Sequence, residues 1–278
     1  MKVAYVGLGS MGAPQARLIA RSGRELAVYD PFPAALEAFR GIARLAGSAA
    51  DAAREAEIAC VCVRDDRQVE DVVLGEAGLA EGLASGALVL IHSTIRIDTL
   101  HRLKDALAPR GIGVVDAPVS RTRPTDDEAF VFTMLGGDAA DVARARPIVE
   151  TFSTDLDHIG PFGAGMATKI ANNLVAWTEI VVGVQAFNLA ARHGVPYDKL
   201  RAVMKANGNL TPTMQAMLDR KREGAHQELF VSQAGNGEKD LGLACECGQA
   251  AGLNTAMAGE ARAIVRAAMT EPLAEAGR

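Results

Sequence analysis

Three short clusters in this chain combine residue types that do chemistry. The richest is Gly163-Ala164-Gly165-Met166-Ala167-Thr168-Lys169-Ile170-Ala171-Asn172-Asn173. Residues 164–193 have the apolar spacing of one long helix, so Lys169 and Asn173 stand a turn apart on the same face. An ammonium beside a carboxamide can bind one small oxygen and give it a proton. A solvated lysine with a polar neighbour has the same local pattern, so the other clusters must decide. The second, Asp116-Ala117-Pro118-Val119-Ser120, leads into the polar loop Arg121-Thr122-Arg123-Pro124-Thr125-Asp126-Asp127-Glu128. The third is Gly7-Leu8-Gly9-Ser10-Met11-Gly12, a G-x-G-x-x-G pattern.

The glycine cluster has the surroundings its chemistry needs. Lys2–Val6 is a short apolar run of strand character, residues 13–21 are helical in period, and Glu25–Tyr29 reads as a second strand ending in Asp30. Strand, glycine turn, helix, strand and acid within about 30 residues form a dinucleotide fingerprint. Gly7 permits the tight turn, Gly9 leaves room for a pyrophosphate, and Gly12 lets helix and strand pack closely. Leu8, Ser10 and Met11 lie between them, where the N–H groups and dipole at the helix N-terminus favour phosphate. Asp30 is placed to accept from the adenosine ribose hydroxyls and to repel a 2′-phosphate. No Lys or Arg follows in Pro31-Phe32-Pro33, so NAD is expected over NADP.

The elements that position these clusters alternate. Residues 48–57, 66–73, 98–107 and 138–152 read as helices, the last capped by Asp138 or a neighbour. Residues 58–63, 87–91, 112–116, 130–135 and 154–159 read as strands, and 75–86 as a loop with a helical turn. Repeated strand–helix units imply a parallel sheet with helices on both faces. Ligands gather at the carboxyl ends of such strands, so residues 63–66, starting at Val63, together with Ser93-Thr94 and residues 116–120, are candidates. After Gly163 only helices are expected, over residues 164–193, 198–205, 214–222, 237–251 and 255–269. The expected fold class is α/β: an N-terminal Rossmann doubly wound sheet over residues 1–162, then an all-helical domain over 163–278 entered by a long interdomain helix. That boundary puts Lys169 beside the cleft between the two halves.

Composition narrows the function. Of 278 residues, 49% are apolar, enough for a sizeable core, and a formal charge of −5 argues against nucleic acid or an anionic membrane as partner. No apolar run is read as a membrane span, and the first residues go directly into a strand, so a cytoplasmic protein is expected. The four cysteines fall as Cys60/Cys62 and Cys245/Cys247. Two C-x-C pairs without nearby histidine make a poor zinc site, so structural thiols and no metal are expected. His92, His101, His158, His193 and His226 show no metal spacing; they read as surface or structural residues, with His92 the one to approach the site. Tyr197, Trp177 and Phe187 read as core or subunit-interface residues, and Phe230 and Val231 as pocket lining or core. The apolar long helix calls for cover, most simply by a second copy, as a homodimer or homotetramer.

Four blocks in order resemble the β-hydroxyacid dehydrogenase family, which includes 3-hydroxyisobutyrate dehydrogenases and tartronate semialdehyde reductases. Residues 7–12 match its G-L-G-x-M-G, Asp116-Ala117-Pro118-Val119-Ser120 its D-A-P-V-S, residues 163–173 its G-x-G-x-x-x-K-x-x-N-N, and Lys239-Asp240-Leu241 its K-D-L. The resemblance spans essentially the whole chain. It implies NAD(P)-dependent interconversion of a β-hydroxy acid and its semialdehyde, with a helical domain of the 6-phosphogluconate dehydrogenase type whose long helix also joins subunits. By position it makes Lys169 the catalytic acid/base. It gives Ser120 the substrate carboxylate and Asn173 the reacting hydroxyl. Lys239, also toward the cofactor, and Asp240 close the site, and Thr94 meets the nicotinamide side.

For Lys169 to act as a base it must lose a proton it would hold in water, where a lysine has a pKa of about 10.4. Burial and a positive nicotinamide ring both act in that direction. The chain departs from the family after Ser120: Arg121-Thr122 replace the usual two glycines, Ala129 replaces a later one, Ile97 the usual proline, and Gln15 and Leu18 a common Met and Asn. Arg121 and Arg123 have two readings. One is a loop salt bridge with Asp126, Asp127 or Glu128. The other is a clamp, with Thr122 alongside, on the substrate carboxylate or a second anionic group. Two rivals are an imine reductase, against which Lys169 and Asp30 count, and a non-catalytic NAD-binding module.

Overall fold

Valine-, isoleucine- and alanine-rich runs of four or five residues, each ended by a turn former, set the first half of the chain. The computed structural model describes residues 1–123, 125–224 and 227–276. In chain order these form β1 (Lys2–Val6), α1 (Gly12–Arg21), β2 (Glu25–Tyr29), α2 (Pro33–Glu37), β3 (Arg44–Leu45), α3 (Ala49–Ala53), β4 (Ile58–Val61), α4 (Asp66–Leu74), α5 (Leu79–Gly82), β5 (Leu88–Ile91), α6 (Ile97–Leu107), β6 (Gly113–Asp116), β7 (Val119–Arg121), β8 (Val131–Gly136), α7 (Ala139–Val149) and β9 (Ser153–Gly160). Only helices follow among the described residues: α8 (Ala164–Arg192), α9 (Tyr197–Ala206), α10 (Pro212–Arg222), α11 (Gln227–Ala250) and α12 (Ala256–Thr270). The chain forms two compact units, Met1–Lys169 and the residues from Ile170 onward, divided inside α8.

In the first unit all nine strands join one sheet, ordered β3-β2-β1-β4-β5-β6-β8-β7 with β9 paired to β8. The stretch from β3 to β6 is parallel and has the 3-2-1-4-5-6 order of the dinucleotide-binding fold, with its switch point between β1 and β4. Every residue of β4 and β5 is buried, as expected of strands covered on both faces. Each fully buried Val, Ile or Leu there contributes about 1.5–3 kcal/mol. The sheet is not wholly parallel, as the strand–helix alternation implied. β8 runs antiparallel to β6 and β7, because the chain after Arg121 turns back to pair β8 directly with β7, and strands joined as a hairpin can only be antiparallel.

Other differences from the sequence reading have local causes. α2 starts on Pro33 in its first turn and β3 is two residues long; neither carries enough periodicity to be read. Asp138 is the N-cap of α7 but makes no side-chain cap bond, whereas Ser48 and Asp65 cap α3 and α4 through Asp51 N and Gln68 N. α11 begins ten residues before Gly237, through Val, Ser, Gly and Asn of modest helix propensity. α8, at 29 residues, is long and apolar enough to cross a membrane by length and composition alone, contrary to the expectation of no such run. An interior helix passes the same test, and Ile180, Val181, Val184, Phe187 and Ala191 of α8 are buried. In the second unit α11 lies along α12, with Gly237 facing Val265 and Gly248 facing Thr255.

Candidate active site

β6 ends on Asp116, a carboxylate with no exposure to solvent. Its Oδ1 accepts the N–H of Gly163 at 2.8 Å and its Oδ2 the N–H of Met166 at 2.8 Å. Those donors belong to the residue just before α8 and to its first turn, where the helix offers no partner for them. Asp116 therefore fastens the start of α8 to the end of β6, and the charge suits the positive end of the helix dipole. Burial pushes its carboxyl up from the ordinary value, and the backbone N–H groups of Gly163, Met166 and Gly165 act the other way. A side chain at Gly165 would collide with the Met134 carbonyl and crowd the Asp116 carboxylate, so the turn requires glycine there.

The fastening brings two predicted residues together. Ser120 on β7 lies four residues after Asp116, and Lys169 three residues after Met166. The Lys169 ammonium donates to Ser120 Oγ at 2.9 Å, and Lys169 is only 9% exposed. A buried lysine on a serine hydroxyl is unlike a solvated lysine.

The second unit holds a different cluster. Asn173 Nδ2 donates to Asp240 Oδ2 at 2.8 Å, and Trp177 Nε1 donates to the same oxygen at 3.1 Å. Asp240 Oδ1 lies 2.9 Å from Lys239 Nζ; this is ion-pair range but outside hydrogen-bond angles, since the same oxygen has no hydrogen-bond partner. Asn173 and Asp240 are 8% and 7% exposed. A carboxylate accepts only donors, which fixes the Asn173 amide with its nitrogen toward Asp240. Asn173 Oδ1 in turn faces Asn172 Nδ2 at 3.5 Å. Trp177, read from the sequence as core or interface, was missed as a member of this cluster; its spacing of four from Asn173 was the available signal.

The glycine loop sits at the β1–β4 switch point. A side chain on Gly7 would strike the Cys62 carbonyl and Val63, and one on Gly12 would strike the Gly7 carbonyl, whereas nothing lies within 4 Å of a side chain built on Gly9. That open side, with Ser10 and Met11 at the start of α1, suits a pyrophosphate approaching the helix N-terminus. Asp30 Oδ2 accepts from Leu8 N at 2.7 Å and Oδ1 from Phe32 N at 2.9 Å. Each oxygen keeps a lone pair for a ribose hydroxyl. Ser93 Oγ bonds both Val63 N and Val63 O at 2.8 Å, tying the ends of β4 and β5, and Thr94 follows it, half-buried. The residues present therefore fit a dinucleotide.

Arg121 is the residue after Ser120 on β7, and successive strand residues point to opposite faces. Its guanidinium lies over the Phe130 ring at 4.7 Å, 3.8 Å from Asp126 Oδ2 and 4.0 Å from Met11 Sδ. Arg123 pairs with Glu128 at 3.4 Å, and Arg21 of α1 donates to the Asp127 carbonyl. Thr122 Oγ1 bonds Phe130 O and Thr154 Oγ1 at the sheet edge, rather than Lys169 or Ser120.

The histidines do not gather. His92, expected nearest the site, is instead a core residue: its Nδ1 meets Ala117 O at 2.8 Å and its ring stacks on Tyr5 and meets Phe152 edge-on. Burial lowers its pKa to about 4. His101 packs on Phe162, His158 bonds Gly137 O and Gly160 O, and His193 is exposed; His226 lies outside the described residues. Among the described residues no group of His, Cys, Asp and Glu could hold a metal. Cys60 is buried, and burial pushes its thiol up. Phe230 is buried under Lys221, while Val231 is exposed. Phe187 and Tyr197 contact each other at 4.5 Å.

Two family models match the chain. The NAD binding domain of 6-phosphogluconate dehydrogenase covers residues 2–160, and the NAD-binding domain of NADP-dependent 3-hydroxyisobutyrate dehydrogenase covers residues 163–277. The chain is 30% identical to an NAD-dependent L-serine dehydrogenase of Pseudomonas aeruginosa over 99% of its own length and 94% of that protein. It is 31% identical to a 3-sulfolactaldehyde reductase of Escherichia coli, over 73% and 68% of the two. A solved 3-hydroxyisobutyrate dehydrogenase of Salmonella typhimurium superposes with a TM-score of 0.81 at 26% identity, covering 99% of this chain and 96% of that one.

Proposed function

Because the chain belongs to the β-hydroxyacid dehydrogenase family of NAD(P)-binding oxidoreductases, we propose that it interconverts a β-hydroxy acid and its semialdehyde with Lys169 as acid/base. The observation that carries this reading is the buried Lys169 ammonium on Ser120 Oγ. Bound NAD(P) supplies the hydride acceptor in the oxidising direction and the donor in the other. Lys169 takes the hydroxyl proton during oxidation and returns it during reduction. Ser120 accepts from Lys169, which directs its own O–H toward the substrate carboxylate. Asn173 has one N–H on Asp240 and holds the reacting oxygen with the other, a bond that serves hydroxyl and carbonyl alike. Lys239, paired with Asp240, faces the cofactor, and Thr94 the nicotinamide. NAD rather than NADP follows from Asp30, whose carboxylate is already fixed by Leu8 and Phe32 and repels a 2′-phosphate.

On substrates that carry a second anionic group, Arg121 engages it by turning its guanidinium away from Asp126 and around the edge of β7 toward the Ser120 side. Its ion pair with Asp126 is loose and partly exposed, and such a pair contributes about 0–1 kcal/mol, so a ligand anion displaces Asp126 at little cost. A sulfonate of the kind handled by the sulfolactaldehyde-reducing relative is one such group. Exposed Val175, Val182 and Leu189, spaced by seven along α8, support a homo-oligomer. An imine reductase reading leaves Lys169 without a role, and a non-catalytic module leaves both buried clusters without one.

The test is Lys169→Ala. Turnover of L-serine, 3-hydroxyisobutyrate and 3-sulfolactaldehyde is expected to fall by at least about a thousandfold, the upper part of the range for a lost acid/base, while NADH still binds as in the wild type. Turnover within tenfold of the wild type would reject the role.

A further inference from the structure

We propose that Trp177, the one tryptophan of the chain, is a positioning and specificity-determining residue of this site. The proposal rests on the reading that Asn173 holds the reacting oxygen. Lys169, Asn173 and Trp177 follow one another at intervals of four on the single helix α8, so they form one row, each about 6 Å further along the axis. The indole therefore stands one turn beyond the amide that holds the oxygen.

Two contacts make the indole more than a neighbour. Its Nε1–H and the Asn173 amide donate to the same oxygen, Asp240 Oδ2, at 3.1 and 2.8 Å. The indole is stiff, with two torsions, so its N–H pins that oxygen in place and with it the plane of the Asn173 amide. Its six-membered ring is seated on α11 at Gly237, where an added Cβ would come within 3.1–3.2 Å of it. A glycine at that point is what lets so large a ring lie flat against the neighbouring helix while keeping its N–H on Asp240. Trp177 stays half-buried, so part of the ring is presented rather than enclosed. The indole thus sets the orientation of Asn173 and forms the wall that limits the substituent on the carbon chain of the hydroxy acid.

Two variants separate these roles from packing. Trp177→Ala removes the wall. The ratio of kcat/KM for 2-benzyl-3-hydroxypropionate to that for 3-hydroxyisobutyrate is expected to rise by at least about tenfold, as steric discrimination in a pocket allows. Trp177→Phe keeps a ring but removes the donor. Its kcat for 3-hydroxyisobutyrate is expected to fall about tenfold, the effect of losing one hydrogen bond to a charged group, with unchanged NADH affinity; a purely structural role would lower the melting temperature but leave kcat unchanged at a temperature where the variant is fully folded. An unchanged ratio in the Ala variant overturns the wall, and an unchanged kcat in the Phe variant overturns the positioning. If the Ala variant does not fold, Trp177→Leu takes its place in the substrate-ratio test, with the same two outcomes. Failure here is distinct from failure of the acid/base reading. The substrate ratio compares two reactions of one working enzyme, whereas the reading of Asn173 on which the proposal rests fails only if Asn173→Ala keeps its kcat, and the acid/base reading only if Lys169→Ala keeps its turnover.

Discussion

The two units of this chain hold their reactive side chains by different means. In the sheet unit, Lys169 and Ser120 are brought to 2.9 Å by a joint in which a buried carboxylate, Asp116, grips the main chain of α8. In the helical unit, Asn173 is held by side chains alone: Asp240 from α11, seconded by Trp177. A main-chain joint has no slack, because the helix and the strand end are rigid and the glycines at 136 and 165 leave no room for adjustment. A side-chain network can be retuned by single substitutions without moving the backbone. On the function proposed above, the difference becomes a division of labour: the proposed proton-transfer pair is fixed by the fold, and the proposed discrimination between substrates resides in the helical network.

Breaking the main-chain joint should give the largest effect. Asp116→Asn places an amide N–H₂ where one carboxylate oxygen met an N–H of α8, donor against donor. Lys169 then loses its setting against Ser120, and a misplacement of about 1 Å at a reacting group costs on the order of a hundredfold in rate. We expect kcat to fall by about that factor, with the NADH dissociation constant unchanged, since the glycine loop and Asp30 do not touch Asp116. A kcat close to wild type, or a loss of NADH affinity in step with kcat, would show that Asp116 does not act through Lys169.

A smaller effect tests whether the sheet unit also takes part in discrimination. If Arg121 engages a second anionic group, Arg121→Gly should raise KM for 3-sulfolactaldehyde at least about tenfold, the cost of one charge-assisted contact. KM for 3-hydroxyisobutyrate, which has no such group, should stay as it is. KM values equal in wild type and variant for both substrates would confine Arg121 to its ion pair with Asp126 and leave discrimination to the helical unit.

How much of this was legible in the sequence follows the same division. The glycine loop, Asp30, Ser120 and Lys169 are tied to strand ends and a helix start, and such positions leave a mark: period, turn residues and fixed spacing. β1, β2 and α8 were placed almost to the residue for that reason. The role of Asp116 left no mark, because its partners are the main-chain N–H groups of residues 47 and 50 positions away, which every sequence has. Trp177 was read as core because an aromatic residue in an apolar helix looks alike whether its N–H finds solvent, a carbonyl or Asp240. β7 was hidden for a different reason, and with it the antiparallel direction of β8, which had been read as a strand over residues 130–135. Three residues are too few for alternation to show, and the polar run after Ser120 looks like a loop whether or not its ends pair.

The smallest predicted effect is on stability alone, and it belongs to the sheet unit. His92 is buried between Tyr5 and Phe152, and burial lowers its pKa to about 4 from 6.5. The folded state thus holds it neutral, while the unfolded chain binds a proton below pH 6.5. Between those two values the unfolded state takes up more protons, so stability must fall as pH falls through that window. This one group should remove about 2 kcal/mol between neutral pH and pH 5. His92→Asn keeps a donor for the Ala117 carbonyl and cannot be protonated there, so urea unfolding of the variant at pH 7 and pH 5 should lack that difference. Activity at neutral pH should be unaffected, since the ring lies in the sheet core rather than against Lys169 or Ser120. An acid loss of equal size in wild type and variant would move its origin to groups other than His92, and not to Asp116, whose raised carboxyl takes up its proton more readily in the folded state and so acts in the opposite direction.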